Sequence, residues 1–255
     1  MRSQLSEVSF VTAFSYELVT MYGFYSLGAP IFPSLKKEKL FIPGDDVYGF
    51  LFFVQFKMSE YIIGPGASLR EYWGLPFFRY QIQPKNKNQI HKLMQDLEKE
   101  DHFALYVSPA FYRKSELFDL LRQQAVIQNS TFWSPTGMGE LTPAHRNMMS
   151  FKSNLPYGIL EPADRKIQTM NREEPLETVI KGKCLTGQPG LCNDHNIRRT
   201  GDRLLEIYSG LSLNKSEQKL VSDIFKSRET VEPSDYLSLI STLLYDCYVY
   251  FYPAP

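Results

Sequence analysis

The chain has 255 residues, of which 43% are hydrophobic and 14% aromatic, enough for a packed core in one large domain or a core with a small second domain. Its 28 basic and 28 acidic residues give a formal net charge of zero, so any nucleic-acid contact must use a local patch. The sequence contains no run of about 18 apolar residues, the length needed to span a bilayer, and the start of the chain does not resemble a signal peptide. The three cysteines are an odd number, which indicates a reducing compartment. We therefore expect a cytoplasmic globular protein with no membrane contact.

The first predicted element is a helix over residues 6–22. Its apolar residues recur at helical spacing and mark one buried stripe, and Glu17 falls inside that stripe. A carboxylate there needs a cation or a hydrogen-bond donor beside it, unless the side chain lies at the edge of the stripe and reaches water. Both readings of Glu17 stay open at the level of sequence.

The next segment joins two acids to an amide and an amine. Asp45 and Asp46 precede the run VYGFLFFVQF at 47–56, whose aromatic and β-branched residues favour a strand or a tight hairpin. In a strand, alternate residues share a face, so Gln55 and Lys57 are expected side by side, with the residue between them in the core. Amines and amides are seldom buried without partners, so core packing alone does not account for this pair.

Strands and helices alternate through the rest of the first half, which predicts an α/β fold. Turn residues and apolar periodicity predict strands at 40–42, 77–82, 103–107 and 125–133, and helices at 86–100 and 115–124.

The second half is different in composition. Residues 161–200 are polar and rich in turn-forming residues, which predicts a linker or an extended loop between an α/β domain at 1–160 and a helical region at 201–255. Within that helical region, patterning predicts helices at 202–208, 214–226 and 234–250. Such helices could cap the core, form a small subdomain or make a dimer contact, so a homo-oligomer is one expectation.

An acid followed after a short gap by Gln55-x-Lys57 on a central strand resembles the signature of the PD-(D/E)xK nuclease superfamily, in a variant with Gln in the (D/E)xK motif. The resemblance covers roughly the first 130 residues and includes the helix that carries Glu17. It implies a restriction-endonuclease-like core, a central mixed sheet flanked by helices, followed here by the helical C-terminal region.

The resemblance also implies a function. It predicts a nuclease that hydrolyses DNA, with RNA a less favoured substrate, using Mg²⁺ or Mn²⁺, in a setting such as bacterial anti-phage defence. Asp46, Gln55 and Glu17 would then hold the metal, and Lys57 would orient or deprotonate the attacking water. Asp45 is the alternative to Asp46, and glutamine in place of glutamate removes one negative charge from the site.

Basic residues near these elements are candidate phosphate contacts if they lie on one face, and an ordinary solvated surface if they do not. They are Lys85, Lys87, Lys92, Arg113 and Lys114. Since the net charge is zero, we also expect that a partner protein delivers the nucleic acid or activates the enzyme.

Three other interpretations remain beside the nuclease. The chain could be a catalytically degenerate nuclease-fold protein that acts as an interaction or nucleic-acid-binding subunit, or an unrelated α/β protein with polar groups on an edge strand. A zinc clip from Cys184, Cys192 and His195, with Asp194 beside them, lacks a clear fourth ligand.

His91, on the helix at 86–100, is expected at the surface.

Overall fold

The structure is a computed structural model that describes residues 4–27, 47–64, 69–83, 88–99, 102–142, 145–170, 178, 190–211 and 213–253. The helices are α1 Glu7–Tyr22, α2 Arg70–Trp73, α3 Asn88–Lys99, α4 Lys114–Arg122, α5 Pro135–Met138, α6 Asp194–Ser209, α7 Lys215–Ser227 and α8 Pro233–Tyr245. The strands are β1 Tyr25–Ser26, β2 Val47–Phe56, β3 Glu60–Ile62, β4 Phe77–Gln83, β5 Phe103–Pro109, β6 Ser130–Trp133, β7 Asn147–Phe151, β8 Tyr157–Glu161, β9 Arg165–Gln168, β10 Gly190–Cys192 and β11 Tyr248–Pro253.

Helix α1 begins and ends on local signals. The Ser6 hydroxyl accepts a hydrogen bond from the backbone N–H of Ser9, which satisfies a donor that the first turn leaves unpaired. Gly23 follows the last turn in the left-handed conformation, with φ of 71°, where glycine carries no steric penalty. The predicted helix at 6–22 is therefore confirmed.

Two sheets organise the fold. The central sheet has the order β1-β11-β2-β5-β6, with β10 pairing the first residues of β2; its β2–β5 pair is parallel and its other pairs are antiparallel. The second sheet is antiparallel throughout, in the order β3-β4-β7-β8-β9. The protein is thus an α/β fold with one mixed and one antiparallel sheet flanked by helices.

Strand β2 separates two hydrophobic layers. Phe52 and Phe56 face α1 and α4, while Leu51 and Phe53 face α3, α6, α8 and the second sheet. Both faces are covered, so β2 reads as a nearly continuous apolar run, as expected for a buried strand with a parallel neighbour. The predicted strand at 47–56 is confirmed, as a single strand without a hairpin.

The predicted helix at 234–250 is wrong at its C-terminal end. Helix α8 stops at Tyr245, Asp246 adopts the left-handed conformation with φ of 54°, and the chain continues into β11. This last strand lies between β1 and β2 in the central sheet. Its run YVYFYP at 248–253 is aromatic and β-branched, which favours a strand over another helical turn.

The expected linker at 161–200 also contains regular structure. Strand β9 completes the second sheet, β10 pairs with the first residues of β2, and α6 begins at Asp194. The strand predicted at 125–133 is shorter than expected, since only Ser130–Trp133 pairs with β5. The predicted strand at 40–42 lies outside the described residues.

Candidate active site at the end of strand β2

Gln55 and Lys57 emerge together where β2 ends, as alternation along the strand predicts. Gln55 is 1% exposed, and Phe56 between them packs on the rings of Phe10 and Phe14 on the opposite face. Both polar side chains are directed to one carboxylate, that of Asp246. This end of β2 is also the carboxyl end of the parallel β2–β5 pair, the edge at which α/β sheets commonly bind ligands.

The amide of Gln55 is held from the C-terminal end of α8. Its Nε2 donates to the Tyr245 carbonyl oxygen at 3.1 Å and to Asp246 Oδ2 at 3.3 Å. Both partners are acceptors, so the amide nitrogen must face them. Any contact of this side chain with a metal or a substrate donor must therefore use its Oε1 oxygen.

The amine of Lys57 lies in a mostly buried position with 12% of its side chain exposed. Its Nζ is 3.9 Å from Asp246 Oδ2 and 5.9 Å from the centre of the Tyr106 ring. Burial lowers the pKa of Lys57, and the negative charge of Asp246 opposes that shift. A lysine with a lowered pKa holds a larger neutral fraction, which suits an amine that exchanges protons with water.

Asp246 was not predicted as a site residue. It occupies the junction between α8 and β11 in a left-handed conformation that aspartate tolerates better than most residues. Its side chain is 67% exposed, so the carboxylate meets solvent on one side and the Gln55–Lys57 pair on the other. The sequence signal that could have located it is the change at this point from helical periodicity to an aromatic, β-branched run.

A second acid lies close by. The pKa of Glu7, in the first turn of α1, is raised first by burial and then by the charge of Asp246, while Lys57 lowers it. Those contributions place the charge of Glu7 within electrostatic range of Asp246 and Lys57. A carboxylate of the N-terminal helix therefore acts on the site electrostatically, and that carboxylate is Glu7.

Glu17 lies elsewhere. Its two carboxylate oxygens accept hydrogen bonds of 2.9 Å from the backbone N–H groups of Val126 and Ile127, and its side chain is 1% exposed. These partners pack in the layer beneath α1, on the opposite face of the central sheet from Gln55 and Lys57. Of the two open readings, burial beside donors is the correct one, and the donors are backbone groups of a turn.

Asp46 and Asp45 lie outside the described residues. The nearest described residue is Val47, which begins β2, and Gln55 lies eight positions further along the unbroken strand. At about 3.3 Å per residue this is roughly 26 Å. The end of β2 adjoining the two acids is therefore far from the end that carries the amide and the amine.

The candidate phosphate contacts are only partly described. Lys85 and Lys87 lie outside the described residues, while Lys92 is exposed on α3 and Arg113 and Lys114 are exposed at the start of α4. Helices α3 and α4 pack on opposite faces of the central sheet. The described members of the set do not form one patch.

His91 is buried, so the expectation of a surface position is wrong. Its ring stacks on that of Tyr106, its Nδ1 lies 2.9 Å from the Tyr106 hydroxyl, and its Nε2 lies 2.8 Å from the Gly139 carbonyl oxygen. Burial lowers the pKa of His91, which favours the neutral ring. A neutral ring that donates Nε2–H to the carbonyl must accept the Tyr106 hydroxyl proton at Nδ1. His91 thus fixes the tyrosine beneath Lys57.

The components of the zinc clip are not brought together in the described part of the chain. Cys184 lies outside it, Cys192 is buried in β10, and Asp194 and His195 are exposed in the first turn of α6. Burial raises the pKa of Cys192 to about 12, which opposes the thiolate form that zinc requires. No group of three or more His, Cys, Asp or Glu side chains within reach of one metal ion occurs among the described residues.

The donors at the end of β2 nevertheless fit a hard divalent cation. Asp246 supplies an exposed carboxylate, Gln55 an amide oxygen, and Glu7 a second carboxylate in the same region. Magnesium in proteins commonly takes one or two carboxylates and completes its shell with water and substrate phosphate.

Comparison with protein-family models, with curated proteins and with solved structures found no match to this chain. No helix within the described ranges is both long enough and apolar enough to cross a membrane.

Proposed function

We propose that the protein is a metal-dependent nuclease with a restriction-endonuclease-like core that hydrolyses phosphodiester bonds of DNA at the end of β2. The observation that carries this proposal is the convergence of Gln55 and Lys57 on the single carboxylate of Asp246, at the carboxyl edge of a parallel strand pair. An exposed acid and an amide oxygen can hold a divalent cation, and a partly desolvated amine beside them can stabilise negative charge on a phosphoryl group.

Each residue has a stated role. Asp246 and the Oε1 oxygen of Gln55 would hold Mg²⁺ or Mn²⁺, with Glu7 as a further oxygen donor. When bound, the metal supplies Lewis-acid polarisation of the phosphoryl group and lowers the pKa of water. Lys57 orients or deprotonates the attacking water, and Tyr106 and His91 hold the amine in place from below.

The test is cleavage of supercoiled plasmid with Mg²⁺ or Mn²⁺ against EDTA. The proposal expects wild-type cleavage that EDTA abolishes, and losses of roughly 10²- to 10⁴-fold for Lys57→Ala and Asp246→Asn. Asp46→Ala tests the metal ligand predicted from the sequence, and because Asp46 adjoins the far end of β2, the proposal expects this variant to cleave like the wild type. The matched control is Lys226→Ala, since that lysine also pairs with an aspartate, Asp223, at the surface of α7. Equal cleavage by all variants would point to a contaminant.

A second candidate is a catalytically degenerate nuclease-fold subunit that binds nucleic acid or a partner protein. It is favoured by the way Asp246 already satisfies the Gln55 amide and pairs with Lys57, so the three groups form a closed structural contact. Absence of cleavage on duplex DNA, single-stranded DNA and RNA across metals would favour it. Tight, salt-sensitive DNA binding by the isolated chain would count against a partner that delivers DNA.

A further inference from the structure

A cleft lies at the start of β2, the end opposite the candidate active site. It encloses about 380 Å³ between α6, the first residues of β2, strand β10 and the end of α3. Lys57 lies six positions after Leu51 of this cleft, which corresponds to roughly 20 Å of extended chain. The cleft is therefore distinct from the candidate active site and does not depend on the function proposed for that site.

One face of α6 gives the cleft its charge. Asn196, Arg199, Thr200 and Arg203 line it at spacings of three and four residues, so their side chains lie in one row along the helix. His102 borders the same space. No aspartate or glutamate is among the described residues that line the cleft. Two guanidinium groups one turn apart are complementary to phosphate oxygens in charge and in hydrogen-bonding geometry.

The other walls are apolar. Leu51, Leu97, Ile197 and Leu204 are buried residues that line the cleft, so it offers a nonpolar surface next to the two arginines. Small-molecule sites commonly enclose about 300–1,000 Å³ and combine apolar walls with a few polar groups that fix orientation. A phosphate alone would not use the apolar wall, whereas a phosphate joined to a flat ring would use both.

Glycine leaves this space open. Gly190 of β10 lies opposite Gly49 of β2, and directly paired residues project to the same face of a sheet. That face carries Leu51 and is covered by α6. A Cβ added at Gly190 would meet no heavy atom within 4 Å, so a longer side chain there would extend into the cleft without a clash at its base.

We propose that this cleft binds a phosphorylated small molecule of nucleotide size. Arg199 and Arg203 hold its phosphate, and the wall formed by Leu51, Leu97 and Leu204 covers its ring system.

Calorimetric titration of the full chain with AMP, ATP, inorganic phosphate and a short DNA duplex tests the proposal. We expect saturable binding of AMP or ATP at least about tenfold tighter than binding of phosphate, since phosphate lacks the ring. Arg199→Gln and Arg203→Gln should each weaken nucleotide binding by roughly tenfold to a hundredfold. Gly190→Leu should weaken it by obstruction, while Gly190→Ala should leave it close to wild type.

The control is Arg122→Gln, an arginine on α4 that is exposed and pairs with Asp119. Thermal melting of every variant separates lost binding from lost folding. The proposal is overturned if neither nucleotide binds at millimolar concentration, if phosphate binds as tightly as nucleotide, or if both arginine variants bind like the control. Binding of the duplex but not of the nucleotides, weakened by the arginine variants, would overturn it in favour of a DNA contact.

Discussion

Replacing Glu17 by glutamine separates a structural role for this carboxylate from a metal-binding role. In the structure the two carboxylate oxygens accept from the backbone N–H groups of Val126 and Ile127. Glutamine retains one acceptor oxygen, but its NH₂ group would face the second backbone N–H, so two donors would oppose each other in a buried site. We expect the folded state to lose stability although the side chain keeps its size.

The magnitude follows from the two contacts. A hydrogen bond to a charged group contributes about 1.5–3 kcal/mol, and a buried donor without a partner costs about 1–3 kcal/mol. Burial of the Glu17 charge offsets part of this, as the rise in its pKa from desolvation indicates. We therefore expect Glu17→Gln to lower the free energy of unfolding by about 1–3 kcal/mol, or the melting temperature by about 2–10 °C for a chain of this length. Glu17→Ala removes both bonds and leaves a cavity, so its loss should be larger, about 3–5 kcal/mol.

Urea unfolding followed by circular dichroism measures the change, with Glu206→Gln, an exposed glutamate on α6, as the control. The pH dependence gives an independent check. Because the folded state raises the pKa of Glu17, ionisation of this carboxyl group costs part of the stability, so the free energy of unfolding is higher at low pH and falls as pH rises through the folded pKa. Glu17→Gln should remove that dependence. A variant as stable as the control at every pH would refute the structural role.

Three further predictions concern other parts of the fold. Gln55→Glu places a second carboxylate beside that of Asp246, so we expect the free energy of unfolding to fall by about 1–3 kcal/mol in EDTA. Adding Mg²⁺ should raise the melting temperature of this variant by more than that of the wild type. Equal gains would argue against a metal at this site. Gly49→Ala should lower the free energy of unfolding in urea by about 1–3 kcal/mol, because its Cβ would overlap the neighbouring strand β11. Gly190→Ala, at the directly paired position of β10, should be neutral or slightly stabilising. Similar values for the two variants would contradict the packing. His91→Leu should lower the free energy of unfolding by about 1–3 kcal/mol and flatten its pH dependence. Because the pKa of His91 is lowered in the folded state, its contribution to stability is present above about pH 6.5 and is lost as pH falls through the folded pKa. An unchanged pH profile would refute this.

The local elements of the first half were determined by the sequence. The helix at 6–22 followed from apolar spacing and its end at Gly23, and the strand at 47–56 from its aromatic and β-branched run. Alternation along that strand also placed Gln55 and Lys57 on one face, because side-chain direction in a strand depends only on residue parity.

The partners of that pair were decided by the tertiary structure. Asp246 reaches Gln55 and Lys57 because β11, almost 200 residues further along the chain, adds to the central sheet beside β2. No local pattern encodes which strands pair across such a separation, since strand order is set by the packing of whole layers. Glu17 is the opposite case: its position in the helical stripe left burial and a solvent-reaching side chain both open, and only the packing of α1 against the turn at 125–127 decided between them.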